Sequence, residues 1–173
     1  MENTFGLPLI PENESERLAA LRRLNLPKTY VEDGTFKHIT AMAARMFQVP
    51  IAIVNVVEEY GVITLAGTGM EAGTVIPRGI SLCSLSILDD NVTVFQQAKD
   101  EPCLLANPLV HGEFGLEFYA AAPLKTAHGQ KIGALCLVDK KPRAFSALDQ
   151  RILENLASIV MDEIMKKSQE TDT

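Results

Sequence analysis

Residues 117–140 read EFYAAAPLKTAHGQKIGALCLVDK, two β-rich runs that meet at His128-Gly129. Phe118, Ala120, Ala122 and Leu124 alternate onto one face of the first run, and Ile132, Ala134, Cys136 and Val138 share one face of the second. Successive side chains of a strand point to opposite sides, and a Gly-containing junction is the usual hairpin turn. The stretch is therefore an antiparallel hairpin. Ala120, Ala121 and Ala122 are small on both faces, which leaves room either for a ligand or for a closely packed helix.

Downstream, AFSALDQRILENLASIVMDEIMKK (144–167) is a long terminal helix. Ser146 with Asp149 three residues on resembles a capping box in which Asp replaces Glu or Gln. Upstream, DEPCLLANPLVHGEFGLE (100–117) is rich in turn residues and long for a loop, a length that often marks function. NVTVFQQA (91–98) reads as a strand. In GISLCSLSILDD (79–90), Ile80, Cys83, Ser84, Ile87 and Leu88 share a helical face with Ser81 as N-cap. VPIAIVNVVEEYGVITLAG (49–67) is a second hairpin turning at Glu58-Glu59-Tyr60-Gly61; its first run is apolar on both faces except at Asn55, as in a central strand. The Gly67, Gly69 and Gly73 stretch reads as a connection. In GTFKHITAMAARMF (34–47), Phe36, Ile39, Ala43, Met46 and Phe47 form one helical stripe after an Asp33-Gly34 start. PENESERLAALRRLN (11–25) is a short helix with Leu18, Leu21 and Leu24 on one side, ended by Pro27.

The order is α+β with an antiparallel sheet. A chain of 173 residues, 47% hydrophobic, is the size of one compact domain, able to bury ~70% of its unfolded surface. Sixteen basic against twenty-two acidic residues give a net charge of −6. With no Lys/Arg cluster, nucleic acid is excluded as the expected partner. Cys83, Cys103 and Cys136 are an odd set without metal-ligand spacing, so neither a disulfide framework nor a metal site is expected. No export signal and no run of ~20 apolar residues is seen, so a cytoplasmic protein without membrane contact is expected.

The segments RLAALRRLNL, VPIAIVNVV, NPLVHGEFGLEFYAAAPL and IGALCLVDKKPRAFSALDQRIL together resemble successive landmarks of bacterial GAF domains. The resemblance implies a six-stranded antiparallel sheet with helices on both sides, one small-molecule pocket under the middle helix and long loops, and a signalling role. On this reading residues 1–14 are a flexible tail, 15–168 the single domain and 169–173 a C-terminal tail. The expected lining of a ligand site is Cys83, Ser84, Asn107, Phe118, Tyr119 and Ala121, with no catalytic residues, because a small-ligand site needs a few placed polar groups among apolar ones. Against this, Ser84 can bond back to its own helix, Tyr119 can be a core ring with its hydroxyl at the surface, and Phe118 can be core.

Family chemistries are weighed residue by residue. Bilin-binding relatives follow the attachment cysteine with a histidine, whereas Ser84 follows Cys83 here. For haem, His111 is the only histidine considered, and it sits in the long loop. A cyclic-nucleotide signature is matched partly by Asp139-Lys140, Phe145 and Asp149-Gln150, with Lys140 expected to reach Asp149 and Phe145 to pack beneath the helix start. The cofactor therefore stays unknown. Free methionine sulfoxide reduction needs an accessible, acidic thiol and a second thiol nearby; Cys83 with Cys103 is the only pair considered. The expectation is instead a non-catalytic ligand-binding or regulatory module, with that reductase or an interaction module with a vestigial pocket as alternatives. Cys83 is expected to be a protonated packing residue, since apolar burial raises a thiol pKa. The terminal helix carries Leu148, Ile152, Leu153, Leu156, Ile159, Val160, Ile164 and Met165, a stripe wide enough to serve a sheet and a homodimer partner.

Overall fold

The computed structural model describes residues 8–26, 34 and 36–171. Residues 1–7 and 172–173 of the expected tails lie outside these residues, as does Asp33. Helix α1 (Glu14–Leu24) and helix α2 (Lys37–Phe47) precede the hairpin β1 (Ile51–Val57) and β2 (Gly61–Thr68). Then come β3 (Val75–Pro77), the one-turn α3 (Cys83–Ser86), β4 (Thr93–Phe95), two 3-10 turns at Ala98–Asp100 and Pro102–Leu104, and the one-turn α4 (Pro108–His111). The second hairpin, β5 (Phe118–Lys125) and β6 (Lys131–Asp139), leads into α5 (Ala147–Thr171).

The strands form one antiparallel sheet in the order β3-β2-β1-β6-β5-β4. β1 and β6 hold the centre, and every residue of β1 is buried, as a run apolar on both faces requires. Both expected hairpins are present. β3 lies where only a glycine-rich connection was expected; it is a half-exposed edge strand of three residues ending in Pro77, too short to show alternation.

The two faces of the sheet have different covers. Ala52, Val54, Val56, Phe118, Ala120, Ala122, Leu124, Leu135 and Leu137 pack beneath the long helices, against Leu21 and Leu24 of α1, Ile39 and Ala43 of α2, and Leu153, Leu156, Val160 and Ile164 of α5. Ile51, Ile53, Val57, Tyr119, Ala121, Ala134, Cys136 and Val138 face the other way, toward Leu82, Cys83, Ile87, Phe95, Leu104 and Val110 from short helices and loops.

Ile132 does not share the face of Ala134, Cys136 and Val138 as the alternation suggested; it packs with the helical layer. The register slips by one residue where Lys125 pairs with Lys131, next to Gly133 opposite Leu124, and such a bulge turns a side chain over. Met46 likewise leaves its expected stripe and is exposed, because the buried side of α2 runs through Ile39, Thr40, Ala43 and Ala44. At the start of α5 the capping box is complete: Asp149 N–H donates to Ser146 Oγ at 3.1 Å and Ser146 N–H to Asp149 Oδ2 at 2.8 Å. Phe145 packs under that turn against Phe118 and Phe47, with ring centroids 5.6 and 5.5 Å away. Lys140 does not reach Asp149; its ammonium stands over the Phe114 ring, 4.9 Å from the centroid.

Candidate functional site

The face roofed by short elements carries a buried polar cluster. The chain enters it through the Pro77-Arg78-Gly79 turn, where Ser84 Oγ donates to the Arg78 carbonyl at 2.6 Å and also lies against the Ser81 carbonyl. Leu82, and not Ser81 as expected, is the N-cap of α3, and Ser81 Oγ accepts the N–H of the first helical residue, Cys83, at 3.3 Å. α3 is a single turn, shorter than the apolar pattern suggested, and these bonds fix its start with Cys83 toward the centre of the sheet. The roof is tied to the long loop by Asn107, whose Nδ2 donates to the Ile80 carbonyl at 2.9 Å while its Oδ1 caps α4 by accepting the Leu109 N–H at 2.9 Å.

Four groups converge beneath this roof. Asn55 Nδ2 and Tyr119 Oη each donate to Cys83 Sγ at 3.2 Å, and Cys136 Sγ lies 3.1 Å from Cys83 Sγ. Tyr119 Oη is also 3.4 Å from Cys136 Sγ. Thr64 Oγ1 donates to Asn55 Oδ1 at 2.9 Å, which fixes the amide with its NH₂ toward the sulfur. Gly133 lets β6 approach β1 at this level: a Cβ there would lie 2.0 Å from the Asn55 carbonyl oxygen.

The surroundings set the acidity of the thiols. The Cys136 contact holds Cys83 below the ordinary thiol range; burial opposes it, and Tyr119, Asn55 and Ser81 reinforce it. Burial first, then Cys83, pushes Cys136 well up. Tyr119 is raised by burial and by both thiols. Donors from Asn55 and Tyr119 thus favour charge on the Cys83 sulfur, while burial disfavours it on Cys136 and Tyr119. This corrects the expected surroundings of Cys83, which is buried as expected: the α3 neighbours are apolar, but the atoms that meet the sulfur come from β1, β5 and β6.

Of the expected lining residues, Cys83, Tyr119 and Ala121 share this face and are buried. Ser84 is buried beside them with its hydroxyl engaged by backbone carbonyls, and Asn107 braces the roof from outside. Phe118 lies on the opposite face with Phe145 and does not join the cluster. The Tyr119 hydroxyl is inside, on the thiols, instead of at the surface. The partner thiol of Cys83 is Cys136 and not Cys103, which sits half-buried in the second 3-10 turn with its own pKa raised by burial and Glu101. Asn55 and Thr64 were absent from the expected set. The signal for Asn55 was present, one amide inside a strand otherwise apolar on both faces; Thr64 had none. Among the described residues no group of three or more His, Cys, Asp or Glu is placed to hold a metal ion, His111 is exposed, and no helix is long and apolar enough to cross a membrane.

Long helices thus seal one face of a six-stranded antiparallel sheet, and short, loop-linked turns roof buried polar groups on the other, an α+β architecture. The GAF domain profile matches residues 32–164, and the chain belongs to that family. It is similar to a cyclic di-GMP phosphodiesterase of Pseudomonas aeruginosa, 35% identical over 161 residues, which cover 92% of this chain and 27% of the phosphodiesterase. The chain thus spans about a quarter of the length of the curated relative it matches. Among solved structures it resembles the GAF domain of a phosphoenolpyruvate-protein phosphotransferase from Coxiella burnetii, with a TM-score of 0.67 at 13% identity over 93% of this chain and 98% of that one. It also resembles free methionine-R-sulfoxide reductase from Neisseria meningitidis in complex with its substrate, with a TM-score of 0.64 at 16% identity over 98% and 99% of the two chains. These two likenesses are of fold.

Proposed function

We propose that this chain is a non-catalytic sensory module that binds a small molecule beneath α3 and regulates a signalling protein. One observation carries the reading: polar groups are buried under a roof of one-turn helices and loops, while the other face of the same sheet is sealed by long helices. A roof held by a few bonds such as Asn107 to Ile80 opens at less cost than a packed helix, and this is how a domain admits a ligand to an interior site. Asn55, Tyr119 and Ser84 are the proposed polar contacts, with Ala121 on the same buried face. The likeness to a cyclic di-GMP phosphodiesterase supports a place in cyclic-dinucleotide signalling, with this chain as the regulating part.

Native mass spectrometry of freshly purified protein tests the proposal. A retained small molecule, lost on denaturation and absent from Asn107→Ala, is the expected result. A bare chain, together with no thermal shift on a metabolite panel, favours the interaction module with a vestigial pocket. Turnover of free methionine-R-sulfoxide with a thiol reductant, abolished in Cys83→Ala, would replace the proposal with the enzymatic alternative.

A further inference from the structure

The Cys83–Cys136 contact is used by neither fold nor ligand reading. Two buried thiols, from a one-turn helix and a central strand, sit with sulfurs 3.1 Å apart, about 1 Å beyond a covalent S–S bond of about 2.05 Å. Cys83 stands on a one-turn helix between loops and Cys136 on the long central strand β6, so closing the gap falls to α3 and not to the sheet. Neutral donors from Asn55 and Tyr119 aim at one sulfur of the pair, and hydrogen bonds to the charged form of a group favour that form.

We propose that Cys83 and Cys136 form a reversible redox pair, in which Cys83 is the thiol attacked by a hydroperoxide and Cys136 resolves it to an intramolecular disulfide. In the first step Cys83 sulfur attacks one peroxide oxygen; the S–O bond forms as the O–O bond breaks, and sulfur gives up two electrons. The hydroxide released takes up the proton lost from Cys83 and leaves as water. In the second step Cys136 sulfur attacks the Cys83 sulfenic acid; the S–S bond forms, the S–O bond breaks, and the departing hydroxide takes the Cys136 proton. The sum is two thiols and one hydrogen peroxide giving one disulfide and two waters.

Cys83 and Cys136 are 2% and 0% exposed, which restricts the oxidant to a molecule near the size of water that enters as the roof opens. Larger disulfides are shut out. The product ties α3 to the middle of β6 and withdraws Cys83 sulfur from Asn55 and Tyr119. Oxidation therefore fixes the roof and changes the polar groups beneath it. The inference does not depend on the identity, or existence, of a bound ligand.

Hydrogen peroxide added to the folded full chain, followed by denaturation, alkylation and peptide mapping, tests it. The expected product is a Cys83–Cys136 linked peptide with Cys103 still alkylated, reversed by dithiothreitol. In Cys136→Ser, dimedone present during the denaturation step should label Cys83 and no linked peptide should form. Cys136→Ala serves if the serine variant fails to fold, and the wild-type map needs no variant. The proposal is overturned if all three thiols stay alkylatable, if Cys103 alone is oxidised, or if Cys83 links to Cys103 or to another chain.

Discussion

Asn55 is the residue on which the interior depends. It is 2% exposed, accepts from Thr64 and donates to Cys83, so replacing it with alanine leaves the Thr64 hydroxyl only the weak Met70 sulfur acceptor at 3.8 Å and removes a donor from the Cys83 sulfur. An unsatisfied buried group costs about 1–3 kcal/mol, and Asn55→Ala should lose that much in urea unfolding. A loss below about 0.5 kcal/mol would mean that the amide is not a structural partner of either group. Gly133 is tested on the same strand pair. A methyl there meets the Asn55 carbonyl oxygen at 2.0 Å, and backbone cannot yield as a side-chain tip can. Gly133→Ala should cost about 1–3 kcal/mol through overpacking, and unchanged stability would show that β1 and β6 are less closely apposed at this point. Neither residue's partner could be read from local sequence. Asn55 was visible as a polar exception in IAIVNVV, but Thr64 meets it only through strand pairing, which the register decides, and Cys83 only through the docking of α3 on the sheet.

Among the elements, α1 has an anchor that its leucine stripe does not reveal. The helix begins at Glu14, inside the stretch expected as a tail, and Glu14 bridges Arg17 and Arg78, each 1% exposed. Arg17 also donates to the Val57 carbonyl at 2.7 Å, and the Arg78 carbonyl receives Ser84. The clamp thus joins α1 to the end of β1 and to the turn that carries α3. Such a contact was not legible because Arg17 sits among charges on the sequence, and charged side chains are seldom fully buried unless paired. What was legible was periodicity: Leu18, Leu21 and Leu24, the capping box of α5 and both hairpins follow from local pattern. Burial, the largest effect, pushes the Glu14 carboxyl up, but the two guanidiniums together outweigh it and bring it from 4.5 to about 2. Since the folded pKa lies below the unfolded one, the contribution is full above about pH 4.5 and is lost as pH falls toward about 2. Wild-type stability should fall through that window, and Glu14→Gln should flatten the fall. At neutral pH, Glu14→Ala should cost about 3 kcal/mol, since it leaves two buried guanidiniums without their carboxylate. Identical acid unfolding curves for wild type and Glu14→Gln would count against the clamp.

At the scale of the whole molecule, the long helices face both inward and outward, and the outward side bears on assembly. Leu153, Leu156, Val160 and Ile164 of α5 are buried on the sheet, whereas Leu148 and Ile159 are 58% and 48% exposed, with Ile152 partly covered between them. Those three, spaced by four and seven residues, lie along one line of the helix surface. The stripe expected from sequence is therefore divided: one part is used by the domain's own core, the other is open. α1 crosses the far end of α5, and a groove of about 710 Å³ between them is lined by Ala19, Ala20, Leu24, His128 and Met165. We propose that a second copy packs on this outward side through the α5 stripe. An apolar side chain taken fully from water contributes about 1.5–3 kcal/mol, so Ile159→Glu should weaken association at least about tenfold. Because Ile159 is half exposed, the variant should retain its fold, checked by circular dichroism. Sedimentation velocity at tens of micromolar should show a dimer for wild type and a monomer for Ile159→Glu. A monomeric wild type at that concentration, or a dimer that survives both Ile159→Glu and Leu148→Glu, would remove the α5 stripe as the interface.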